Sequence, residues 1–273
     1  MIVNLGLEVS EERDGEMATK DTRDIHLRVP ATCRPKAARE REKFELTESI
    51  EEYTEGVYRL QEEMEVVSTG DIAKYMTVAP ASVTTMLKRM AELELVEHTP
   101  YQGVSLTPKG ERLSISLLRK HRLVERLLFD FLELPWDDVH DLACKLEHYL
   151  SEDVADRIAK AMNYPTTCPH GNPVDATFRD GSYRLSDAET GDRLIVAKIT
   201  DERMEFLSYV MEIGLTPQMR FNVKSRTPFG DVMTLEVEGR DGSVAIGHEV
   251  SQCIYVFSNR IESSSSDLKL NEN

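Results

Sequence analysis

The first clear feature of the hydrophobic pattern is an amphipathic helix that starts near residue 46. Steps of four, three, four, three and four residues separate its apolar positions, which places them on one helix face. These positions are Leu46, Ile50, Tyr53, Val57, Leu60 and Met64. Before them, residues 1–43 hold nine acidic and nine basic residues without a sustained period, so we expect a disordered arm.

Two further helices follow. Ser68 and Asp71 form a capping-box pattern, with Asp in place of the usual Glu or Gln, which predicts a short helix over residues 71–75. Pro80 suits the first turn of a third helix over residues 80–92. The core face of that helix holds Val83, Leu87 and Met90. Its open face holds Ser82, Thr84, Thr85, Lys88 and Arg89.

Residues 95–98 and 104–107 predict two short strands around a turn-rich hairpin tip. The resulting order is helix, helix, turn, helix and two-stranded ribbon. This order is typical of a winged helix-turn-helix.

The second half changes from helical to alternating patterns. Helices are predicted over residues 108–132, 136–150 and 153–162, and a proline-rich linker over 164–173. Short alternating runs between residues 177 and 260 predict a small β-barrel, so the fold class is mainly α with a small β domain. The runs are 194–198, 219–223, 232–237, 243–246 and 254–257, with one helix near 203–213. The serine-rich end, from residue 263, is expected to be a tail.

Net charge restricts the kind of DNA binder that the chain can be. Its 33 basic and 49 acidic residues give a formal net charge of −16, which argues against binding nucleic acid or anionic membranes through bulk charge. Residues 81–122 differ, because seven basic and four acidic residues give this segment a net charge of +3. The net charge is therefore compatible with a specific DNA-binding surface near the third helix.

The apolar segments and cysteines indicate a cytoplasmic protein that does not bind membranes. No stretch approaches 18 uninterrupted apolar residues, and the N-terminus lacks the basic region of a signal peptide. Four cysteines in a chain of this length do not make a disulfide framework. We interpret Cys168 and His170 as ordinary linker residues, and Cys33 and Cys253 as incidental or small core residues.

One helix carries a pattern typical of metal ligands. Offsets of four, seven and eight residues from His140 place a thiol, a carboxylate and a second imidazole on one stripe. Such side chains together form the ligand set of a first-row divalent ion. The stripe consists of His140, Cys144, Glu147 and His148, and helical pairs at His121/Glu125 and Glu52/Glu55 add further candidates. Taken alone, each pair is more often a solvated helix face than a site.

From about Leu46 to Val174 the chain resembles the diphtheria toxin repressor family of metal-dependent transcription regulators. The resemblance covers both its iron-responsive and its manganese-responsive branches, and the ordered run of motifs is more specific than any ligand pair. The motifs are 51–58 (EEYTEGVY), 78–84 (VAPASVT), 103–110 (GVSLTPKG), 119–128 (RKHRLVERLL) and 139–148 (VHDLACKLEH). Residues 177–260 look like the family's SH3-like, FeoA-like C-terminal domain.

The resemblance implies two metal sites. The first would use Glu52, Cys144, Glu147 and His148. The second would use His121, Glu125 and His140, with a C-terminal carboxylate, Glu205 or Glu202, completing it. Glu52 followed by Glu55 matches the manganese branch, whereas Cys144 matches the iron branch, so the cofactor is expected to be Fe(II) or Mn(II).

The resemblance also implies the domain organisation and the mode of action. A homodimer would place helix 80–92 of each subunit in the major groove of a palindromic operator, usually to repress transcription. Metal ligands shared between domains would fix the winged domain and so favour DNA binding. The expected division is an arm (1–43), a winged helix-turn-helix (44–110), a metal-binding and dimerisation domain (111–164), a linker (165–176), an SH3-like domain (177–260) and a tail (261–273).

Two other functions compete with this interpretation. Cys144 with Glu147 and His148 superficially resembles an inverted zinc-peptidase motif, although that motif requires His at the position of Cys144. The chain could instead be a winged-helix regulator that senses an organic ligand through its barrel. Removal of metal by a chelator, followed by a DNA-binding assay, distinguishes the three.

Overall fold

A computed structural model describes residues 46–64, 66–99, 103–229 and 232–258. The expected N-terminal arm, the C-terminal tail, Cys33 and residues 100–102 of the hairpin tip lie outside the described residues. No helix within the described ranges is long and apolar enough to cross a membrane.

The first domain begins with three helices: α1 (Glu48–Glu63), α2 (Thr69–Tyr75) and α3 (Pro80–Glu92). The predicted capping box is confirmed, because the Asp71 N–H donates to the Ser68 hydroxyl (3.1 Å) and the Ser68 N–H donates to the Asp71 carboxylate (2.9 Å). The third helix begins at proline and has the predicted bounds.

A two-stranded antiparallel ribbon completes the winged domain, with strands β1 (Val96–Thr99) and β2 (Gly103–Leu106). Apolar side chains of all three helices and the ribbon form one core. Its fully buried members include Val57, Ile72, Val83, Leu87, Met90 and Leu95. The helical spacing seen in the sequence therefore corresponds to buried faces.

Helix α4 (Pro108–Asp130) links the winged domain to the next one. Its N-cap Thr107 accepts a hydrogen bond from the Gly110 N–H. Gly110 itself lies against the ribbon, where an added Cβ would be 2.1 Å from the Leu95 carbonyl oxygen. Only glycine allows the backbones to approach this closely.

Two shorter helices, α5 (Val139–Leu146) and α6 (Glu152–Ala161), pack against α4. The helix predicted over 136–150 is shorter than expected. It ends at Leu146, and a 3-10 turn (Glu147–Tyr149) carries the last two residues of the ligand stripe. The Ser151 side chain caps α6.

Residues 164–176, expected to be part of a linker, are packed between α4 and the C-terminal domain. Arg122 donates to the Pro173 carbonyl (2.5 Å), and Arg126 donates to the Thr167 carbonyl (2.9 Å). The Trp136 indole N–H donates to the Pro169 carbonyl (3.0 Å). This segment is therefore part of the folded structure, with Cys168 and His170 buried.

The C-terminal domain contains six strands: β3 (Tyr183–Arg184), β4 (Arg193–Ile199), β5 (Arg220–Arg226), β6 (Val232–Val237), β7 (Val244–Gly247) and β8 (Ile254–Ser258). They form one antiparallel sheet in the order β3-β8-β4-β5-β6-β7. Helices α7 (Met204–Glu212) and α8 (His248–Gln252) accompany it, and Leu207 and Val210 of α7 are buried in its core.

Five of these strands and α7 correspond to predicted segments, whereas β3 and α8 have no counterpart in the prediction. Both are short, at two and five residues, so they leave little periodic signal. Among the described strands no pairing joins β7 to β3, so the expected barrel is an open sheet.

Candidate metal centre and DNA-binding surface

The centre of the candidate site lies on α4. His121 and Glu125, one turn apart, are 1% and 0% exposed, and His121 Nε2 lies 3.0 Å from Glu125 Oε1. The other ring nitrogen of His121, Nδ1, lies 2.6 Å from Oε2 of Glu147. The pair that could have been a solvated helix face is therefore buried among other potential ligands.

Helix α5 brings two more donors to the same place. His140 Nδ1 lies 3.1 Å from His121 Nε2 and 3.4 Å from Glu125 Oε1. Cys144 Sγ lies 3.5 Å from His140 Nε2. His121, His140 and Cys144 offer ligand atoms that all lie within 4.8 Å of one another.

The C-terminal domain contributes Glu202, which lies just before α7. Its Oε2 is 3.5 Å from His140 Nδ1, and Asn172 donates to its Oε1 at 2.8 Å. His121, Glu125, His140 and Glu202 thus form a second group within the same 4.8 Å limit. Glu205, the other candidate, is exposed in the first turn of α7 and belongs to none of the groups in the described residues.

The interpretation of Cys168 and His170 as ordinary linker residues is wrong. Both are buried, and together with Glu125 and Glu202 they form a third group of potential ligands. His170 Nδ1 lies 3.1 Å from Glu125 Oε1. The available signal was the Cys-x-His spacing next to Gly171.

Gly171 explains how this turn enters the site. It adopts a φ of +88°, and an added Cβ would be 2.2 Å from the Ala197 carbonyl oxygen of β4. The Ile199 N–H of the same strand donates to the His170 carbonyl at 2.9 Å. The glycine therefore lets the turn lie directly on the sheet and points His170 toward α4.

Helix α1 places its carboxylates differently from the expectation. Glu52 is exposed and belongs to none of the donor groups in the described part of the chain. Its neighbour Glu51 is buried, with Oε2 at 2.7 Å from Nδ1 of His148. Glu55 is half-buried and pairs with Arg59. Glu51 shares a buried stripe with Thr54 and Tyr58, a spacing visible in the sequence.

The charges of these groups depend on one another. Burial lowers the pKa of His140, but hydrogen bonds to Cys144 and Glu125 raise it to about 10. Burial and the charge of Glu125 raise the pKa of Glu202, but its hydrogen bond to His170 and other attractive charges lower it to about 2. Burial raises the pKa of Cys144, yet hydrogen bonds to His121 and His140 lower it overall. Protonated imidazoles therefore neutralise the anionic donors.

These residues fit a divalent metal ion. Glu125 Oε2 is buried without a hydrogen-bond partner among the described residues. Such an unsatisfied acceptor is costly and rare in a folded core. Together with imidazole nitrogens and thiol sulfurs nearby, it offers the mixed donor set that first-row divalent ions accept.

The candidate DNA-binding residues lie together on the open face of α3. All five are exposed, while Val83, Leu87 and Met90 on the other face are buried. The hydroxyls of Thr84 and Thr85 donate to the carbonyls of Pro80 and Ala81, at 3.0 and 3.1 Å. The exposed residues are Ser82, Thr84, Thr85, Lys88 and Arg89.

The basic segment 81–122 is less uniform in space than in sequence. Arg122 is buried against Pro173. Arg119 forms an ion pair with Asp156 at 2.7 Å, and Lys120 forms one with Glu152 at 2.8 Å. These three basic residues of α4 are therefore already paired within the chain.

Three family profiles match the chain in succession. The profile described as iron dependent repressor, N-terminal DNA binding domain, matches residues 45–104. Iron dependent repressor, metal binding and dimerisation domain, matches residues 107–175, and FeoA domain matches residues 183–257.

Relatives of known name match over most of their length. The iron-dependent repressor IdeR of Mycobacterium tuberculosis is 32% identical over 228 residues, which cover 78% of this chain and 98% of that protein. The diphtheria toxin repressor of Corynebacterium diphtheriae is 29% identical over 204 residues, covering 75% and 90%.

Solved structures agree with this relationship. A manganese-dependent transcriptional repressor in complex with manganese matches with a TM-score of 0.70 and 30% identity, covering 77% of this chain and 99% of that one. The manganese regulator SloR matches with a TM-score of 0.67 and 28% identity, covering 77% and 98%. The chain therefore belongs to the iron-dependent repressor family, which includes the diphtheria toxin repressor and consists of transcriptional repressors, not enzymes.

Proposed function

We propose that this chain is a repressor of iron or manganese homeostasis genes whose homodimer binds a palindromic operator when Fe(II) or Mn(II) is present. The main support is the buried donor group that joins α4, α5, the turn at residues 168–172 and Glu202, with Glu125 Oε2 left without a partner. Relatives named as iron-dependent and as manganese-dependent repressors support both metals.

Two neighbouring ligand sets would hold metal. One draws on α4, α5 and the C-terminal domain, and the other draws on the end of α5 and a carboxylate of α1. When bound, an ion supplies two positive charges that these anionic groups share. The first set is His121, Glu125, His140 and Glu202, with Cys168 and His170 beside them. The second is Cys144, Glu147 and His148 with Glu51 or Glu55 of α1, rather than the exposed Glu52.

Contacts between α1 and the helical domain support coupling of the metal centre to DNA binding. The Ser114 hydroxyl of α4 donates to the Thr54 carbonyl of α1 at 3.0 Å, and His148 contacts Glu51. Ile50 and Val57 of α1 share a core with α3. Metal binding that orders the ligands would therefore also order α1 and, through the shared core, α3. The entropy cost of ordering α3 is then already met before DNA binds.

We infer the domain division that the sequence predicts. We also infer a cytoplasmic location, where the protein would reach operator DNA. In the proposed complex, α3 enters the major groove. Ser82 and the threonines approach base edges or phosphates, while Lys88 and Arg89 position the DNA backbone.

Fluorescence anisotropy tests metal dependence, using a DNA duplex selected from a random pool by the protein in Mn(II). Chelation should release the DNA, and Mn(II) or Fe(II) should restore binding. His140→Gln should lose this response, whereas His248→Gln, an exposed histidine of α8, should keep it. Equal binding with and without metal would contradict the proposal and favour an organic-ligand sensor.

The same assay tests the DNA surface. Lys88→Ala should weaken binding to all sequences and lower the slope of log affinity against log salt by about one. Lys224→Ala, which changes an exposed side chain of β5, is the matched control and should leave both unchanged. If Lys88→Ala left this salt slope unchanged, Lys88 would not contact a DNA phosphate, and another surface of the protein would bind DNA.

A further inference from the structure

Arg59 connects the DNA-binding domain to the C-terminal domain through Glu202, and it also pairs with Glu55 of its own helix. It lies on α1 one turn after Glu55, and its Nε donates to Glu55 Oε1 at 2.8 Å. Its Nη1 donates to Glu202 Oε2 at 3.4 Å. The Arg59 side chain is only 20% exposed, so these ion pairs are shielded from water more than ordinary surface pairs.

The same two carboxylates are candidates for metal binding. The Glu202 oxygen that accepts from Arg59 is also the oxygen that lies 3.5 Å from His140 Nδ1. Glu55 is close enough to Glu147 to raise the pKa of that group, after the larger effect of burial and against the opposing effect of His121. The positive charge of the Arg59 guanidinium therefore lies close enough to the candidate site to repel a bound metal ion.

We propose that Arg59 is an internal counter-cation, which holds α1 to the C-terminal domain in the metal-free chain and competes with the metal ion for Glu55 and Glu202. This inference rests on the proposed function, because it concerns the same metal centre.

The competition follows from the chemistry of arginine. The imidazoles of the site can release a proton when an ion arrives, but a guanidinium stays charged in proteins. Its charge can leave the centre only if the side chain moves. The free energy that the Arg59 ion pairs contribute to the metal-free chain is lost when a metal ion displaces the guanidinium. By linkage, this loss reduces metal affinity by the same factor. Arg59 would thus set the metal concentration at which the protein responds.

Two other ion pairs join the same end of α1 to the C-terminal part of the chain. Arg179 pairs with Glu62 at 3.0 Å, and Arg184 pairs with Glu63 at 3.0 Å. Neither carboxylate belongs to a donor group in the described residues. Arg179 therefore offers a control that breaks a connection from α1 without changing charge at the metal centre.

Mn(II) affinity, measured by competition with a fluorescent chelator, tests the proposal on the full chain. Arg59→Met should bind Mn(II) about tenfold more tightly than wild type, because one like charge is removed near a divalent ion. Arg59→Lys keeps the charge and should stay near wild type. Arg179→Met should also stay near wild type.

Hydrogen exchange of the metal-free proteins gives a second readout. Arg59→Met should speed exchange in the last turn of α1 and around Glu202, and Mn(II) should restore protection.

Equal or weaker Mn(II) binding by a folded Arg59→Met variant would overturn the competition while leaving the proposed function intact. Tight binding by Arg59→Lys as well would show that side-chain shape, not charge, is responsible, and would also overturn it. If the wild-type protein bound no Mn(II) or Fe(II), the proposed function would fail and this inference with it.

Discussion

His140 Nδ1 and Glu202 Oε2 lie 3.5 Å apart, although His140 belongs to the helical domain and Glu202 to the C-terminal domain. The approach places a carboxylate of the sheet domain inside a cluster that α4 and α5 otherwise build. The C-terminal domain is thus part of the candidate metal centre.

Glu202→Gln should weaken Mn(II) binding by about tenfold or more, because it removes a buried negative charge beside the other donors. Glu205→Gln is the matched control, three residues later and exposed. Titration with Mn(II) against a fluorescent chelator measures both. If Glu205→Gln had the larger effect, the carboxylate assigned from the structure would be incorrect.

Cys144→Ser should reduce affinity for Cd(II) or Zn(II) much more than affinity for Mn(II), because thiolate prefers softer ions. Co(II) spectra follow the change through loss of the thiolate-to-cobalt absorption band. Cys168→Ser tests the second thiol of the cluster in the same way. Cys253→Ser should leave the spectrum unchanged, because burial and the nearby Asp201 raise the pKa of Cys253 to about 11. A band that survived in the Cys144→Ser/Cys168→Ser double variant would argue against thiolate ligation.

Gly171→Ala should lower the free energy of unfolding by about 2–4 kcal/mol, since a positive φ and a clash with the Ala197 carbonyl both oppose a Cβ there. It should also weaken Mn(II) binding by displacing His170. Gly181→Ala separates the two effects, because φ is +75° but no atom lies within 4 Å of the added Cβ. That control should lose only about 1 kcal/mol. Urea unfolding of the metal-free protein measures both, and equal losses would refute the close approach.

Metal affinity should rise with pH. Despite burial, hydrogen bonds to Cys144 and Glu125 raise the pKa of His140 to about 10, so this imidazole is protonated at neutral pH and must lose its proton to bind metal. Calorimetry in buffers of different ionisation enthalpy should detect proton release on Mn(II) binding, and His140→Gln should release fewer protons. A pH-independent affinity between about pH 6.5 and 9 would contradict this assignment.

The same shift has the opposite effect on the metal-free protein. A folded-state pKa above the unfolded value stabilises the fold fully below about pH 6.5, and this contribution is lost as pH rises toward about 10. Metal-free protein should therefore unfold at lower urea concentrations as the pH rises across this range. Mn(II)-loaded protein should unfold at higher urea concentrations than metal-free protein at the same pH. Increasing stability of the metal-free protein would require another group to dominate.

Local signals explain why much of the fold could be predicted from the sequence. The Ser68–Asp71 capping box and the proline at residue 80 fix helix starts through contacts within one turn, so their bounds are readable without tertiary information. The end of α5 was less readable. The switch to a 3-10 turn at Glu147 places that carboxylate against His121, which lies 26 residues earlier.

The composition of the site was only partly predictable for the same reason. His121, Glu125, His140 and Cys144 follow helical spacing and indeed meet. Glu202 and Glu205 are both glutamates near the start of the predicted helix, so the sequence pattern does not distinguish them. The path of the loop before α7 buries Glu202 and leaves Glu205 exposed. His170 reaches the centre because Gly171 lies flat on β4, a contact between distant segments.

The packed segment at residues 164–176 also limits how the chain can be recombined. Its carbonyls are held by Arg122, Arg126 and Trp136, and the ring of its own His170 lies against Glu125. A chimera that joins this helical domain to a foreign sheet domain must therefore place its junction after residue 176 and still supply a carboxylate at position 202. Loss of the C-terminal domain would remove Glu202 from the donor group and the β4 contact that holds His170, so the helical domain alone would keep only part of the candidate metal centre.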